Sequence, residues 1–257
     1  MDILLICLFA AFASLLTFYS GFGLGTILLP VFALFFPVEL AVGLTGIVHL
    51  LNNLFKLFLI GKHANKIVII KFGIPAIIGA FAGAQLLLVL SGANAITSYE
   101  LFGETFFITP VKLSIAILMI AFGVLEIIPK FKHAEFDQNK LIVGGLLSGF
   151  FGGLSGHQGA LRSAFLLKFG LGKEAFIATG VVIACLVDFT RISIYFTKFL
   201  SYNVLGNWTI ILAATLSAFT GAYVGNKLLK KVTFKFVQLV VLILILTLGV
   251  LLGLGII

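Results

Sequence analysis

Long apolar stretches separated by short polar segments run through the whole chain. There are eight of them, at about residues 3–36, 39–60, 67–91, 107–128, 140–170, 174–198, 204–229 and 234–256. A helix needs about 20 mainly apolar residues to cross the hydrocarbon core of a bilayer. Six of the stretches have the length of one such crossing. The pattern therefore predicts an all-α, polytopic membrane protein.

The other two stretches, 3–36 and 140–170, are too long for one crossing and are interrupted by glycines. The glycines cluster at 21–25 in the first stretch and at 152–159 in the second. Each glycine inside a helix costs about 1 kcal/mol relative to alanine, so such clusters mark a break in a helix. We therefore expect each stretch to form a helical hairpin, two half-length helices that meet at a glycine tip.

Composition also indicates a membrane protein, and it argues against a protein that binds nucleic acid, a metal or a cofactor. Hydrophobic residues make up 61% of the chain, charged residues 10%, and the mean hydropathy is +1.25. A soluble domain of this length needs more polar surface. The net charge of +8 does not indicate nucleic acid, because the lysines stand in short loops between apolar stretches. Cys7 and Cys185 lie inside apolar stretches with no CxxC pattern, so we expect no metal and no cofactor.

Lysine placement predicts how the chain is oriented in the bilayer. Four short loops hold 12 of the 15 lysines, and loops rich in lysine stay on the cytoplasmic side. These lysines are Lys62, Lys66, Lys71, Lys130, Lys132, Lys140, Lys168, Lys173, Lys227, Lys230, Lys231 and Lys235. The segment 92–106 carries Glu100 and Glu104 without a lysine and belongs outside. Following the chain, 3–36 begins and ends on the outer side and 140–170 on the inner side, with both termini outside.

The first stretch has neither a basic leader nor a cleavage site of small residues. A secretory signal peptide carries both, so we expect this stretch to be retained in the membrane.

The two halves of the chain match each other in sequence. A shift of 135 residues brings Ser20-Gly21 onto Ser155-Gly156, Asn53 onto Asp188 and Lys56 onto Arg191. Their common order predicts an internal repeat. We place the first repeat at 1–128, a cytoplasmic linker at 129–139 and the second repeat at 140–257. Because the first hairpin opens outward and the second inward, the repeats are predicted to be inverted, as in many secondary transporters.

The two glycine tips are the first candidates for a binding site. Non-helical backbone survives at membrane depth only where it is buried in protein or lines a water-filled cavity. The second half of each hairpin would point its N-terminal amides at that cavity, which suits a small anion. The alternative is that the glycines only permit close helix packing. The candidate residues at the tips are Ser20, Gly21, Gly23, Gly25, Ser155, Gly156, His157 and Gln158.

Polar residues inside two of the predicted spans form a second candidate. His49, Asn53 and Lys56 share one helical face, and the matching face of the second repeat carries Asp188, Arg191 and Tyr195. Charged residues inside a span usually face a cavity or a partner. Two structural alternatives stay open. Asp188 and Arg191 can form an ion pair that only stabilises the fold, and Lys56 can extend to the inner surface.

Arg162 follows the second glycine tip and has no acidic neighbour in the sequence around it. A guanidinium fork can hold two oxygens of a sulfonate, carboxylate or phosphate. We predict that Arg162 contacts an anionic substrate. The alternative is that it pairs with a distant acid such as Asp188.

Two fragments imitate an intramembrane serine protease of the rhomboid type. Residues 153–156 read GLSG, and His49 with Asn53 gives the spacing HxxxN. A nucleophilic serine needs a positioned base, which in rhomboids lies on a later span. The histidines here are 49, 63, 133 and 157. Only His157 follows the serine, and it lies beside the motif rather than on a later span. No nucleotide-binding or metalloprotease motif occurs either, and the sequence does not predict an enzyme.

The residues Ser20-Gly-Phe-Gly-Leu-Gly-Thr-Ile-Leu-Leu-Pro30, followed by Ala41-Val-Gly-Leu-Thr45, resemble the first repeat of the sulfite exporter TauE/SafE family. Gly149-Phe-Phe-Gly-Gly-Leu-Ser-Gly-His-Gln-Gly159, followed by Ala178-Thr-Gly180, resembles its second repeat. The resemblance covers nearly the whole chain. It implies a transporter of sulfur oxyanions or small organosulfonates, such as sulfite or sulfoacetate, in a cytoplasmic membrane.

Together, these observations predict a secondary transporter of a small anion that works by alternating access, with a passive anion channel as the alternative. The expected partners are the anion, the lipid bilayer and a coupling ion if the anion is driven by one. The expected binding site combines the two tips with Asn53, Lys56, Arg162, Asp188 and Arg191.

Overall fold

A computed structural model describes most of the chain. The described residues are 2–20, 24–127, 140–167, 169–199, 204–228 and 234–257. Within them, ten α-helices account for nearly all of the secondary structure, and one pair of short strands and two short 3-10 helices, Gly61–His63 and Val204–Asn207, make up the rest.

The first half begins with two short helices and continues with two long ones. Helix α1 (Asp2–Ser20) and helix α2 (Leu24–Ala33) lie on either side of the first predicted break. Helix α3 (Val38–Ile60) is followed by α4 (Lys66–Ser91), which contains one π-helical turn at Ile69–Gly73. Strands β1 (Thr97–Leu101) and β2 (Glu104–Ile108) then precede helix α5 (Pro110–Ile127).

The second half repeats this order of helices. Helices α6 (Leu141–Ser155) and α7 (Gly159–Leu167) form the second broken pair. They are followed by α8 (Lys173–Phe199), α9 (Trp208–Leu228) and α10 (Phe234–Gly253). The proposed linker, 129–139, lies outside the described residues.

Four helices in the described part of the chain are long and apolar enough to cross a bilayer. They span Val38–His63, Lys66–Ser91, Lys173–Phe196 and Trp208–Gly225. The remaining apolar helices are shorter, as expected for half-helices and for spans measured only over their described residues. The prediction of an all-α polytopic membrane protein is confirmed.

The second helix break lies where the glycine cluster predicts it. Helix α6 ends at Ser155, Gly156 adopts a left-handed backbone with φ of +82°, and α7 begins at Gly159. A side chain at such a φ is strained, so glycine is the residue that permits this reversal. At the first predicted break, α1 ends at Ser20 and α2 begins at Leu24, and residues 21–23 lie outside the described part.

Helices from opposite halves pack together at very short range. A Cβ atom at Gly145, Gly149 or Gly153 of α6 would overlap the backbone of Phe72, Ala76 or Ala80 of α4. Each step of four residues along α6 matches a step of four along α4, so the two helices run parallel. Glycine is needed at these positions because the two backbones touch.

Helices α1 and α9 pack in the same way, with Gly221 against the carbonyl of Ala11. Helix α3 lies against α8, and helix α5 lies against α10. In each of these two pairs, the partners are equivalent helices, the third or the fifth of each half. The two halves thus contact each other through several pairs of helices. The internal repeat, its inverted orientation and the boundaries at 128 and 140 remain predictions.

The segment 92–106, predicted as an outer loop, contains most of an antiparallel β-hairpin. Tyr99 pairs with Phe106, and the turn holds Phe102 and Gly103 at positive φ. The Tyr99 hydroxyl donates to the Leu254 carbonyl at 2.7 Å, which joins the hairpin to the end of the chain beyond α10. The hydrophobic pattern missed this hairpin because the segment is short and mixed in polarity.

Candidate functional site

The contact between α3 and α8 contains a fully buried carboxylate, that of Asp188. Its Oδ1 accepts hydrogen bonds from Arg191 Nε at 3.0 Å and from Gln158 Nε2 at 3.3 Å. Its Oδ2 lies 2.6 Å from His49 Nδ1 and accepts from Asn53 Nδ2 at 3.4 Å. Four side chains from three segments therefore converge on one acid, and a buried charge needs such partners.

Arg191 lies between the two halves of the molecule, and glycines make room for its guanidinium. A Cβ atom at Gly46 would lie 3.4 Å from Arg191 Cζ, and one at Gly156 would lie 2.8 Å from Nη1. Arg191 Nη2 is 2.8 Å from Asp188 Oδ1. Arg191 Nη1 is buried and has no hydrogen-bond partner among the described residues. The Tyr195 side chain also interacts with the Arg191 guanidinium. A buried guanidinium nitrogen without an acceptor can donate to a ligand oxygen.

The second tip is held by hydrogen bonds within the interior. The Ser148 hydroxyl donates to the Gln158 carbonyl at 3.1 Å, and the Tyr195 hydroxyl donates to the Gly153 carbonyl. Gln158 is the residue that connects this tip to both charges. Its Oε1 accepts from Arg162 Nη1 at 3.1 Å while its Nε2 donates to Asp188.

Arg162 therefore reaches Asp188 through Gln158, rather than by a direct hydrogen bond. A Cβ atom at Gly180 would lie 3.4 Å from Arg162 Nε, so α8 also leaves space for this guanidinium. Lys56 is buried, with 5% of its surface exposed, and lies close enough to Arg162 for the two charges to interact. In this structure Lys56 is in the interior and does not extend to the surface.

The second half-helices of both hairpins meet in the interior. A Cβ atom at Gly25 would lie 3.6 Å from the Gly156 carbonyl oxygen. The residues that follow them in the chain, Thr26 of α2 and His157, line a small cavity together with Phe122 of α5. Its volume of about 10 Å³ corresponds to about one water molecule.

The predicted site residues are thus largely brought together. Asn53, Lys56, Ser155, Gly156, His157, Gln158, Arg162, Asp188 and Arg191 are all buried in one region, and Gly25 lies against it. Ser20 ends α1, and nothing is described of its side chain. Gly21 and Gly23 lie outside the described residues. That these residues bind a substrate stays a prediction.

Positive charge exceeds negative charge in this interior. Among the residues whose side chains the structure describes, Lys56, Arg162 and Arg191 are buried bases, while Asp188 is the only buried acid. Burying an uncompensated charge costs several kcal/mol. The N-termini of the two half-helices α2 and α7 add positive dipole ends near the same place. The region is therefore suited to an anion.

Sequence reasoning placed His49 on the polar face but did not include it among the binding residues. The structure brings it into contact with Asp188. Gly46, Gly180 and Thr26 were not named as site residues either. Gly46 lies opposite Arg191, Gly180 lies opposite Arg162, and Thr26 lines a cavity with His157. The shift of 135 residues pairs Thr45 with Gly180, and the structure places Thr45 beside Gly25 and Gly180 beside Arg162.

The serine of the protease-like fragment is not arranged as a nucleophile. Ser155 Oγ donates to the Phe151 carbonyl at 3.1 Å, and His157 Nδ1 lies 3.0 Å from the same oxygen. Because the Ser155 hydroxyl donates its hydrogen bond to Phe151, its oxygen accepts one from His157. This histidine is therefore a hydrogen-bond donor to the serine and does not act as its base. Within the described residues, no group of three or more His, Cys, Asp or Glu side chains is placed to hold a metal ion.

Comparison with known families decides the broad identity. The sequence profile described as "Sulfite exporter TauE/SafE" matches residues 6–252, nearly the whole chain. The chain belongs to the sulfite exporter TauE/SafE family. This TauE/SafE protein is therefore a multi-pass membrane protein of a family of transporters of sulfur compounds, which are not enzymes. No curated protein and no solved structure gives a match to it.

Proposed function

We propose that the protein is a secondary transporter that carries a small sulfur oxyanion or organosulfonate, such as sulfite or sulfoacetate, across the cytoplasmic membrane by alternating access. The observation that carries this proposal is the excess of buried basic over buried acidic side chains near the second tip, among the side chains that the structure describes. An anion with one or two negative charges would compensate it.

The donors available in this region fit the oxygens of such an anion. Arg191 Nη1 has no partner among the described residues, and Arg162 reaches the same network through a neutral amide that can be displaced. Guanidinium groups bind tetrahedral and pyramidal oxyanions through two parallel hydrogen bonds. The sulfur in the substrate rests on the family, whose profile is named for sulfite export.

Alternating access is supported by the interleaved packing of two similar halves around the proposed site. In transporters of this kind, broken helices from both repeats face a site near the middle of the membrane. The N-terminal ends of α2 and α7 approach each other here, as the contact of Gly25 with Gly156 indicates. Movement of one half against the other would expose this region to each side in turn.

We expect counterflow of sulfite in proteoliposomes. Vesicles preloaded with unlabelled sulfite should take up radiolabelled sulfite faster than vesicles preloaded with chloride, because a carrier returns faster when loaded. Protein-free vesicles provide the background. Equal rates with the two preloads would indicate a passive anion channel, and no uptake above background would contradict sulfite transport.

The inverted orientation has its own test, because both termini are then on the outer side. A fluorescent reporter that matures only in the cytoplasm should stay dark when fused after Ile257. The same reporter fused to a chain truncated after Lys66 should fluoresce, since the loop around Lys62 is predicted to be cytoplasmic. Fluorescence from the fusion at Ile257 would overturn the inverted arrangement.

A further inference from the structure

His49 occupies a position where a proton and an anion can influence each other. It projects from α3 of the first half onto Asp188 of α8 in the second half, with 2.6 Å between Nδ1 and Oδ2. Both side chains are buried, with 2% and 0% of their surfaces exposed. Histidine is the side chain whose charge changes most readily near neutral pH.

The hydrogen bonds indicate which nitrogen of His49 can accept a proton. A carboxylate only accepts hydrogen bonds, so the nitrogen that faces Asp188 carries hydrogen and Nε2 has the lone pair. The amide Nδ2 of Asn53 lies 3.2 Å from that Nε2, 3.3 Å from Nδ1 and 3.4 Å from Asp188 Oδ2. An amide can turn to present its oxygen instead, so Asn53 can accommodate either charge state of His49.

The charged surroundings of His49 come from few elements. Helix α8 contributes Asp188 and Arg191, with Cys185 nearby, and α7 contributes Arg162. Lys56 lies on the same helix as His49. Helix α2 has no ionisable side chain, and the described ionisable side chains of α9 are exposed. On α5, Lys112 is near Glu39 at the start of α3.

Asp188 connects His49 to the proposed anion-binding groups. It holds Arg191 directly and Arg162 through Gln158. A proton on His49 Nε2 would provide a second positive partner for Asp188. The ion pair between Asp188 and Arg191 would then be weaker, and Arg191 would be more available to an anion. An anion at Arg191 and Arg162 would in turn favour the extra positive charge. Such a coupling acts equally in both directions.

We propose that His49 takes up one proton when the anion binds, and that the protein carries this proton with the anion in the same direction. The proposal rests on the proposed function. The proton comes from the solution on the side to which the site is open and sits on His49 Nε2. It leaves to the solution on the other side, and no other bond is made or broken.

The test measures anion binding and proton uptake on the purified full-length protein in detergent. Thiosulfate and sulfoacetate serve as probes because neither changes its charge in the neutral range, as sulfite does. Uptake of one proton changes the affinity by up to tenfold per pH unit, so binding of at least one should be up to about a hundredfold tighter at about pH 6 than at about pH 8. In weak buffer with a pH indicator, binding should remove about one proton from solution per anion.

His49→Asn is the decisive variant, because the asparagine amide nitrogen can take the place of Nδ1 beside Asp188 but does not titrate. We expect affinity that changes by less than about twofold across the same range and no proton uptake. His49→Gln is a second variant in case the first does not fold. The matched control is His63→Gln, which alters an exposed histidine near Glu174 and should retain the full pH dependence.

Each outcome bears on a different statement. Binding that is independent of pH in the natural protein would overturn proton coupling and leave the proposed function intact. Proton uptake that persists in a folded His49 variant would overturn the role of His49. No binding of either anion at either pH would overturn the proposed function, and proton coupling with it.

Discussion

Replacing Arg162 with alanine should weaken sulfite binding by at least about a hundredfold, which corresponds to about 2.7 kcal/mol. Arg162 is buried, and its described hydrogen bond is to the neutral amide of Gln158, so its charge is available to an anion. If Arg162 binds the anion as proposed, loss of the guanidinium removes a charge-assisted pair of hydrogen bonds from a region of low dielectric. Titration of the purified protein with sulfite, followed by calorimetry or thermal shift, measures the effect.

Two further variants make this result specific. Arg162→Lys keeps the charge but loses the planar fork, so its affinity should fall between those of the natural protein and the alanine variant. Lys71→Ala removes an exposed positive charge and should bind sulfite normally. If Arg162→Ala folds, shown by an unchanged melting transition in the absence of ligand, and binds sulfite with full affinity, Arg162 does not contact the substrate.

Replacing Asp188 with alanine should destabilise the protein more than any other single change in this region. The carboxylate accepts from Arg191, Gln158 and Asn53 and contacts His49, and all four would lose their acceptor. Removing one partner of a buried ion pair typically costs about 3–5 kcal/mol, because the other charge is left without compensation. Thermal unfolding in detergent should show a clear decrease of the melting temperature.

A double variant separates a structural ion pair from a functional one. Replacing Asp188 with Leu and Arg191 with Met together removes both charges and fills their volume, so part of the lost stability should return. If Arg191 binds the anion, sulfite counterflow should be abolished in spite of that recovery. A double variant that recovers stability and transports at the natural rate would show that the pair only stabilises the fold.

The helix breaks could be predicted because their causes are local. The lengths of 3–36 and 140–170 and their glycines are properties of the chain, and the cost of glycine in a helix does not depend on distant residues. The break between α6 and α7 follows directly, with Gly156 at positive φ. The two close helix pairs were harder to predict from the sequence, because a glycine at 149 does not indicate that Ala76 is its neighbour.

The polar network shows where sequence reasoning ends. Asp188 and Arg191 are three residues apart, so their pairing could be anticipated from helical spacing. His49 and Asp188 are 139 residues apart and meet only because α3 packs against α8. Gln158 could be placed at the tip, but its role as a link between Arg162 and Asp188 depends on which way each end of its amide faces.

The sequence thus determined that the chain is a membrane protein with two broken helical hairpins, and that basic residues stand close to the second break. Hydrophobic length, glycine and charge suffice for this because each acts over one or two helical turns. The tertiary structure decided which helices touch, that Lys56 is buried, and that His49 joins Asp188. It also placed the β-hairpin in contact with the residues after α10. These contacts depend on how helices far apart in the chain pack against one another, which no local pattern encodes.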